Sequence, residues 1–280
     1  MIEKQYQCQD LGPREYEYLK ELLDSLGPYE ALEMKQALTP EMNVWWNGVL
    51  DNKKILAVAL ITPQRIFLTG TDMAAALHLG ESMTRSLGKR PTGKIYSLYG
   101  PDDVVMAFMQ GYKSCNCRQL GDIKLNIYEL KSLAYKLNDA YTIRQAVKKD
   151  LPLVFDFYGE ALIDELDMDI RKLGKDVHEA NCTKLIENGD IYLGYHRGKP
   201  AFIAKVTKSP IGTFLDQAYF PVAMRRPKVV RGIHARLAEL LLADSPAMII
   251  QINQADEELR AALDELGYKV VGNARILKLR

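Results

Sequence analysis

The feature that most constrains this chain is a repeated order of elements in its two halves. Residues 102–113 read DDVVMAFMQGYK and residues 256–269 read DEELRAALDELGYK. Both begin on acidic residues, carry apolar residues at helical spacing, and close on Gly-Tyr-Lys after a strand-like run. Self-similarity of this kind points to tandem duplication. The 280 residues suit two units of about 140.

The first half predicts a helix over 13–26, a second short helix over 29–38, and then a change of period. Runs at 44–50, 55–61 and 65–69, separated by Asp51-Asn52-Lys53 and Pro63-Gln64, read as an antiparallel meander. Trp45 and Trp46 are expected to serve it as core and lid residues. A helix over 72–87 with Asp72 as N-cap follows, then strand 94–99, helix 102–110 and strand 122–130. The turn before Asp72 holds one glycine and no cation, a poor phosphate cradle, and His78 reads as a surface or packed histidine.

After a polar linker at 131–139, the second half predicts strand 141–147, helices 150–166 and 176–187, and strands 191–196 and 201–207 around a tight Arg197-Gly198 turn. A third strand over 213–224, a helix opened by Gly232, strand 248–252, helix 256–266 and strand 269–279 complete it. The expected domains are therefore 1–135 and 140–280, each α+β, with a mixed, mainly antiparallel sheet flanked by helices.

One stretch carries chemistry. Between the third strand and the Gly232 helix lies a basic loop with Arg225, Arg226, Lys228 and Arg231. A strand running through cations into a helix start suits an anion, because the first backbone N–H groups of a helix lack internal partners. A solvated basic turn before an ordinary amphipathic helix is the plainer alternative.

Composition excludes several classes. A net charge of +1 argues against nucleic acid as the partner, and no apolar run approaches the length of a membrane span. The first ten residues, MIEKQYQCQD, lack the apolar core of a secretory signal. Cys115 and Cys117 form a C-x-C with no second ligand pair at zinc spacing, so no metal site is expected. A cytoplasmic protein with free thiols, monomeric or homodimeric, is the inference.

The second half resembles the Gcn5-related N-acetyltransferase (GNAT) superfamily along its length. That family commonly ends Asn-x-x-Asn, an apolar helix holding a Tyr, then Leu-Gly-Phe. Here Asn253 matches the first Asn, Asp256 replaces the second, and Leu266-Gly267-Tyr268 matches the close. Gly100-Pro101-Asp102 and Asp164-Glu165-Leu166 are similar to stretches of tandem acetyltransferases whose first half is a degenerate copy. Two departures stand out. Against the family's phosphate loop, Arg/Gln-x-x-Gly-x-Gly/Ala, Val229 takes the first position and His234 the last, with Gly232 as the first glycine. In the closing helix Leu263 stands where the family has its proton-donating Tyr.

The resemblance implies an acetyl-coenzyme-A-dependent N-acetyltransferase acting on a small amine or a protein amino group. It implies that the pantetheine arm pairs with backbone near residues 217–222, including Tyr219, Phe220 and Val222. The pyrophosphate would lie on the basic loop, Gly232, Ile233 and His234, with Asn253 near the coenzyme. Glu160, Asp164 and Glu165 would wall the acceptor pocket, joined by Asp216. Asp216, Tyr219 and His234 are candidate bases, and Tyr219 or Tyr268 a replacement acid. The alternative is a non-catalytic relative that binds acyl-coenzyme A or another ligand as a sensor or interaction module.

Overall fold

The computed structural model describes residues 6–26, 34, 45–62, 65–87, 97–112, 118–136, 138–166 and 174–279, with only the backbone at 86, 87, 165 and 166. The expected helix over 29–38, apart from Met34, and the Cys115–Cys117 pair lie outside the described residues. Contacts divide the chain into two compact units. One holds the residues through Asn126 together with Gly272 onward; the other holds Ile127–Val271. The division falls inside two strands, β6 (Gln119–Leu130) and β12 (Lys269–Leu279).

The first unit contains β1 (Gln7–Asp10), α1 (Tyr16–Ser25), β2 (Trp45–Asp51), β3 (Lys54–Ile61), β4 (Ile66–Gly70), α2 (Met73–Leu87), β5 (Ser97–Gly100) and α3 (Asp102–Gly111). Its strands run in the order β1-β2-β3-β4-β5-β12-β6. The expected meander is β2-β3-β4, antiparallel throughout, with Asn52 at φ 57° in the first turn. β3 is buried on both faces, as the unbroken run KILAVALI requires. Val58 and Leu60 pack with Leu19 and Leu23 of α1, while Ala57 and Ala59 pack with Leu79 and Met83 of α2. Trp46 is in that core, but Trp45 is about half exposed.

Asp72 caps α2, its carboxylate accepting the Ala75 N–H at 3.0 Å. Arg275 of β12, beside Gly100 of β5, donates to both oxygens of Asp122 and to Asp102. These bonds tie the last strand into the first unit and hold the Asp122 carboxyl below its ordinary range.

The second unit contains β7 (Tyr141–Gln145), α4 (Leu151–Leu166), α5 (Lys175–Asn188), β8 (Ile191–His196), β9 (Lys199–Ser209), β10 (Gly212–Tyr219), α6 (Pro227–Leu242), β11 (Met248–Asn253) and α7 (Glu257–Leu266). Its strand order is β6-β11-β10-β9-β8-β7. Arg197 and Gly198 both have positive φ, which gives the tight β8–β9 hairpin the sequence announces. α4 and α5 cover one face through Val154, Tyr158, Cys182 and Ile186. α6 and α7 cover the other through Ile233, Leu237, Leu263 and Leu266. Both units are thus mixed, mainly antiparallel sheets flanked by helices, as expected.

Two of the boundaries that differ from the sequence reading bear on the site, and proline explains both. β10 ends at Tyr219 rather than Met224: Pro221 lacks the N–H a strand would use, and residues 222–224 form a 3-10 turn. α6 opens at Pro227, not Gly232, with Arg226 as an extended N-cap. A residue before proline is pushed out of the helical region, and proline itself suits the first helical position.

Candidate functional site

β10 and β11 pair in parallel through Thr213–Met248, Phe214–Ile249 and Leu215–Ile250. Beyond Leu215, β10 continues to Tyr219 and β11 to Asn253. Against β9, the register of β10 slips between Leu215 and Gln217. An extra residue in one strand bends it and sharpens its twist. That residue is Asp216, whose carboxylate takes Lys205 at 3.1 Å and Thr207 at 2.5 Å.

Beyond the paired stretch, beside the end of β10, lies a cleft of about 280 Å³. Ala218 and Tyr219 of β10 and Phe220 just beyond it form one wall; Pro227 and Val230 of α6 and Asp256, Glu258, Leu259 and Ala262 at and within α7 enclose one side. Asp164 of α4 and Arg225 enclose the other. Because α4 packs on the opposite face of the sheet from α6 and α7, the cleft reaches from one face toward the other.

Arg225 is fixed by three contacts. Its Nε donates to the Phe220 carbonyl at 2.8 Å, a terminal nitrogen reaches Asp164 at 2.6 Å, and the guanidinium lies 5.4 Å from the Tyr219 ring centre. Tyr219 itself is 9% exposed and packs edge-on to Phe157. Burial, then the Glu160 carboxylate, raises the phenol above its ordinary pKa, with Arg225 opposing.

The donor set at the start of α6 bears on whether a coenzyme pyrophosphate fits. Pro227 offers no N–H, and the Val229 and Val230 N–H groups both turn to the Arg226 carbonyl, at 2.8 and 3.0 Å. The backbone therefore contributes little beyond the Lys228 N–H and the helix dipole. The exposed side chains of Arg226 and Lys228 supply two cations at the same place. These residues fit a phosphate through side-chain charge more than through a backbone nest.

Comparison with solved structures decides the architecture. A GNAT-family acetyltransferase from Colwellia psychrerythraea superposes with a TM-score of 0.62 at 11% identity, covering 98% of this chain and all of that one. A Gcn5-related N-acetyltransferase from Sphaerobacter thermophilus gives 0.61 at 10% identity, over 97% and 94% of the two chains. A tandem GNAT protein from the clavulanic acid biosynthesis pathway gives 0.58 at 11% identity, over 98% of each. The chain has the tandem GNAT acetyltransferase fold. No family model matches the sequence, and no curated protein does.

Within this fold the structure separates the residues named from sequence. Tyr219, Phe220, Arg225 and Asp164 meet at the cleft. Glu160 stands close enough to act on Tyr219, while Val222 is 78% exposed on the turn beyond. The side chain of Glu165 lies outside the described residues. Asp216 is engaged by Lys205 and Thr207 as above. Asn253 shapes the turn into α7, its side chain accepting the Ala255 N–H, and Asp256 caps that helix through Leu259.

The remaining candidates belong to the interior. Gly232 lies in the second turn of α6, buried, where a Cβ would come within 2.3 Å of the Tyr141 ring. It is glycine because β7 packs there. Ile233 is fully buried. Arg231 pairs with Glu265 of α7 and lies over the Tyr135 ring. His234 is 1% exposed between Phe202 and Phe220, its Nδ1 has no partner, and burial lowers its pKa to about 4. His234 is thus a neutral imidazole walled by aromatic rings. Tyr268 is 1% exposed and donates to the Met248 Sδ at 3.1 Å, with burial pushing its phenol far up. Leu263 is also fully buried in the core.

Sequence reasoning placed Ala218 within the 217–222 stretch but missed Asp256 as a lining residue, and missed Pro227, Val230, Glu258, Leu259 and Ala262. For two of the last three a signal existed: Leu259 and Ala262 recur at helical spacing with Leu263 and Leu266, on one face of the helix, with Glu258 at its edge. For Pro227 the signal was the Arg226-Pro227 dipeptide.

Proposed function

We propose that the second unit binds an acyl-coenzyme A, acetyl-coenzyme A in the first instance, in the cleft beside the end of β10 and transfers the acyl group to an amine. The observation that carries this reading is the divergence of the two strands at Asp216, with the cationic start of α6 at one end of the opening. Backbone groups of residues 217–220 face the space a pantetheine arm would need, and Arg226 and Lys228 would hold the phosphates. The acceptor is a small amine or a protein amino group, drawn by the carboxylates on α4. The first unit binds no coenzyme, since the start of α2 is already filled by the Asp72 carboxylate. Among the described residues no helix is long and apolar enough to cross a membrane.

The test is calorimetry with acetyl-coenzyme A, then an amine panel. Charge-assisted hydrogen bonds to phosphate are worth about 1.5–3 kcal/mol each. Replacing Arg226 and Lys228 together by Ala should therefore weaken binding by roughly tenfold or more, at about 1.4 kcal/mol per decade. Unchanged affinity would place the site elsewhere. The second reading, a non-catalytic binder, draws on α7 showing the cleft only Glu258, Leu259 and Ala262, with no hydroxyl among them. Coenzyme binding without turnover on any amine would favour it.

A further inference from the structure

We propose that two copies of this chain pair through β7, edge to edge and antiparallel about Ile143, with their α6 helices side by side. The proposal is independent of the acyl-transfer reading.

β7 closes the strand order and, among the described residues, pairs only with β8. Ala140 accepts the Arg197 N–H and Ala146 donates to Ile191, both at 2.8 Å, so the even-numbered residues here spend their backbone on β8. Tyr141, Ile143 and Gln145 turn theirs to the open side. Some of these groups are taken locally: the Tyr141 N–H reaches the Asn138 carbonyl and the Gln145 carbonyl accepts Arg144, each at 3.2 Å. The Ile143 N–H and carbonyl, the Tyr141 carbonyl and the Gln145 N–H face outward.

A second β7 laid antiparallel about Ile143 uses those groups and no others. The Ile143 N–H of each copy meets the Ile143 carbonyl of the other, and each Gln145 N–H meets a Tyr141 carbonyl. The locally spent Tyr141 N–H and Gln145 carbonyl are the groups that would otherwise have faced each other. Nothing guards this edge in the usual way: YTIRQ has no proline, lysine or bulge, and its one charge, Arg144, is bound to Asp150.

Charge favours a second copy as the occupant. In this register Asp139 lies opposite Val147 of the other copy, beside Lys148 and Lys149, and the contact recurs at the far end. All three charged side chains are exposed. An edge that starts acidic and finishes basic complements itself when the two copies run antiparallel. On the α6 side, a groove of about 500 Å³ lies between β7 and Arg236, Glu239, Leu240 and Ala243, which recur at helical spacing. Leu240 is 41% exposed there. A two-fold axis through Ile143 sets this stripe against its copy and takes Leu240 out of water.

The experiment is sedimentation equilibrium of the full chain from about 1 to 100 μM. The parent should approach twice its 31.7 kDa. Ile143→Pro removes an N–H that β8 does not use, and edge strands tolerate proline. Leu240→Lys keeps a good helix former and sets two cations against each other near the axis. Each should weaken association by about tenfold or more. Circular dichroism reports whether a variant is folded; if Ile143→Pro is not, Leu240→Lys at its exposed position carries the test. Hydrogen exchange supplies a second readout: the β7 amides should slow as concentration rises. A parent that stays monomeric overturns the proposal and leaves the edge to an extended segment of another protein. A dimer that persists in either folded variant, or that leaves β7 exchange unchanged, lies on another surface and overturns it too.

Discussion

Changing Gly232 to Ala separates two roles that the sequence confounds. In a phosphate loop, a methyl group there would crowd the ligand and leave the fold alone. In this structure it would instead meet three atoms of the Tyr141 ring, the nearest at 2.3 Å, against an ordinary carbon–carbon separation of about 3.5–4.0 Å. The ring must move by more than about 1 Å, yet Tyr141 is 9% exposed and stacked at 5.1 Å on His196. Overpacking of this kind costs about 1–3 kcal/mol. Ala offsets roughly 1 kcal/mol of that through its helix propensity. The net expectation is a loss of about 1 kcal/mol in urea unfolding, with acetyl-coenzyme A affinity unchanged. The decisive control is Tyr141→Val, which removes the ring and keeps a strand-forming residue. In that background Gly232→Ala should reverse sign and stabilise, by up to about 1 kcal/mol. If Gly232→Ala leaves stability intact and weakens coenzyme binding, the packing argument is wrong and the glycine belongs to the ligand site.

Two further outcomes follow from ion pairs remote from the cleft. Arg144 grips Asp150 at 2.6 and 2.8 Å and lowers the Asp150 pKa from 3.8 to about 2, the Val147 N–H assisting. The folded pKa lies below the unfolded one, so this stabilisation is complete above about pH 4 and disappears as pH falls through 2. It amounts to about 1–2 kcal/mol once solvent around Arg144 is allowed for, and acid titration of Arg144→Met should lack it. Replacing Arg275 by Met leaves Asp102 and Asp122 without their cation. Since both are partly solvated, the expected loss is about 1–3 kcal/mol, short of the 3–5 for a fully buried pair. Hydrogen exchange should register it in β5 and β12 first; uniform loss across the chain would contradict the local account.

The sequence exposes the order of elements because each carries its own local cause. Asp72 and Asp256 announce helix starts, Arg197-Gly198 a hairpin, and KILAVALI a strand buried on both sides. It conceals what depends on a distant partner. The two Gly-Tyr-Lys endings look alike, yet their glycines answer to different forces. Gly267 sits at φ +97° and closes α7 in a left-handed cap that only a residue without Cβ adopts cheaply. Gly111 is still helical; a Cβ there would come within 2.0 Å of the Leu77 carbonyl of α2, and Gly80 of α2 is just as tight against Phe108. One glycine ends a helix and the other lets two helices touch. Gly232 is a third instance: the letter is the same as in a phosphate loop, but its requirement comes from Tyr141, far off in the chain. Position in a motif thus left open whether a ligand, a turn or a packed neighbour excluded the side chain. The cleft was hidden for the same reason, since its walls come from a bulge at Asp216 and the cleft-facing side of α7. Neither is a motif, and each acquires meaning only when β10 and β11 lie side by side.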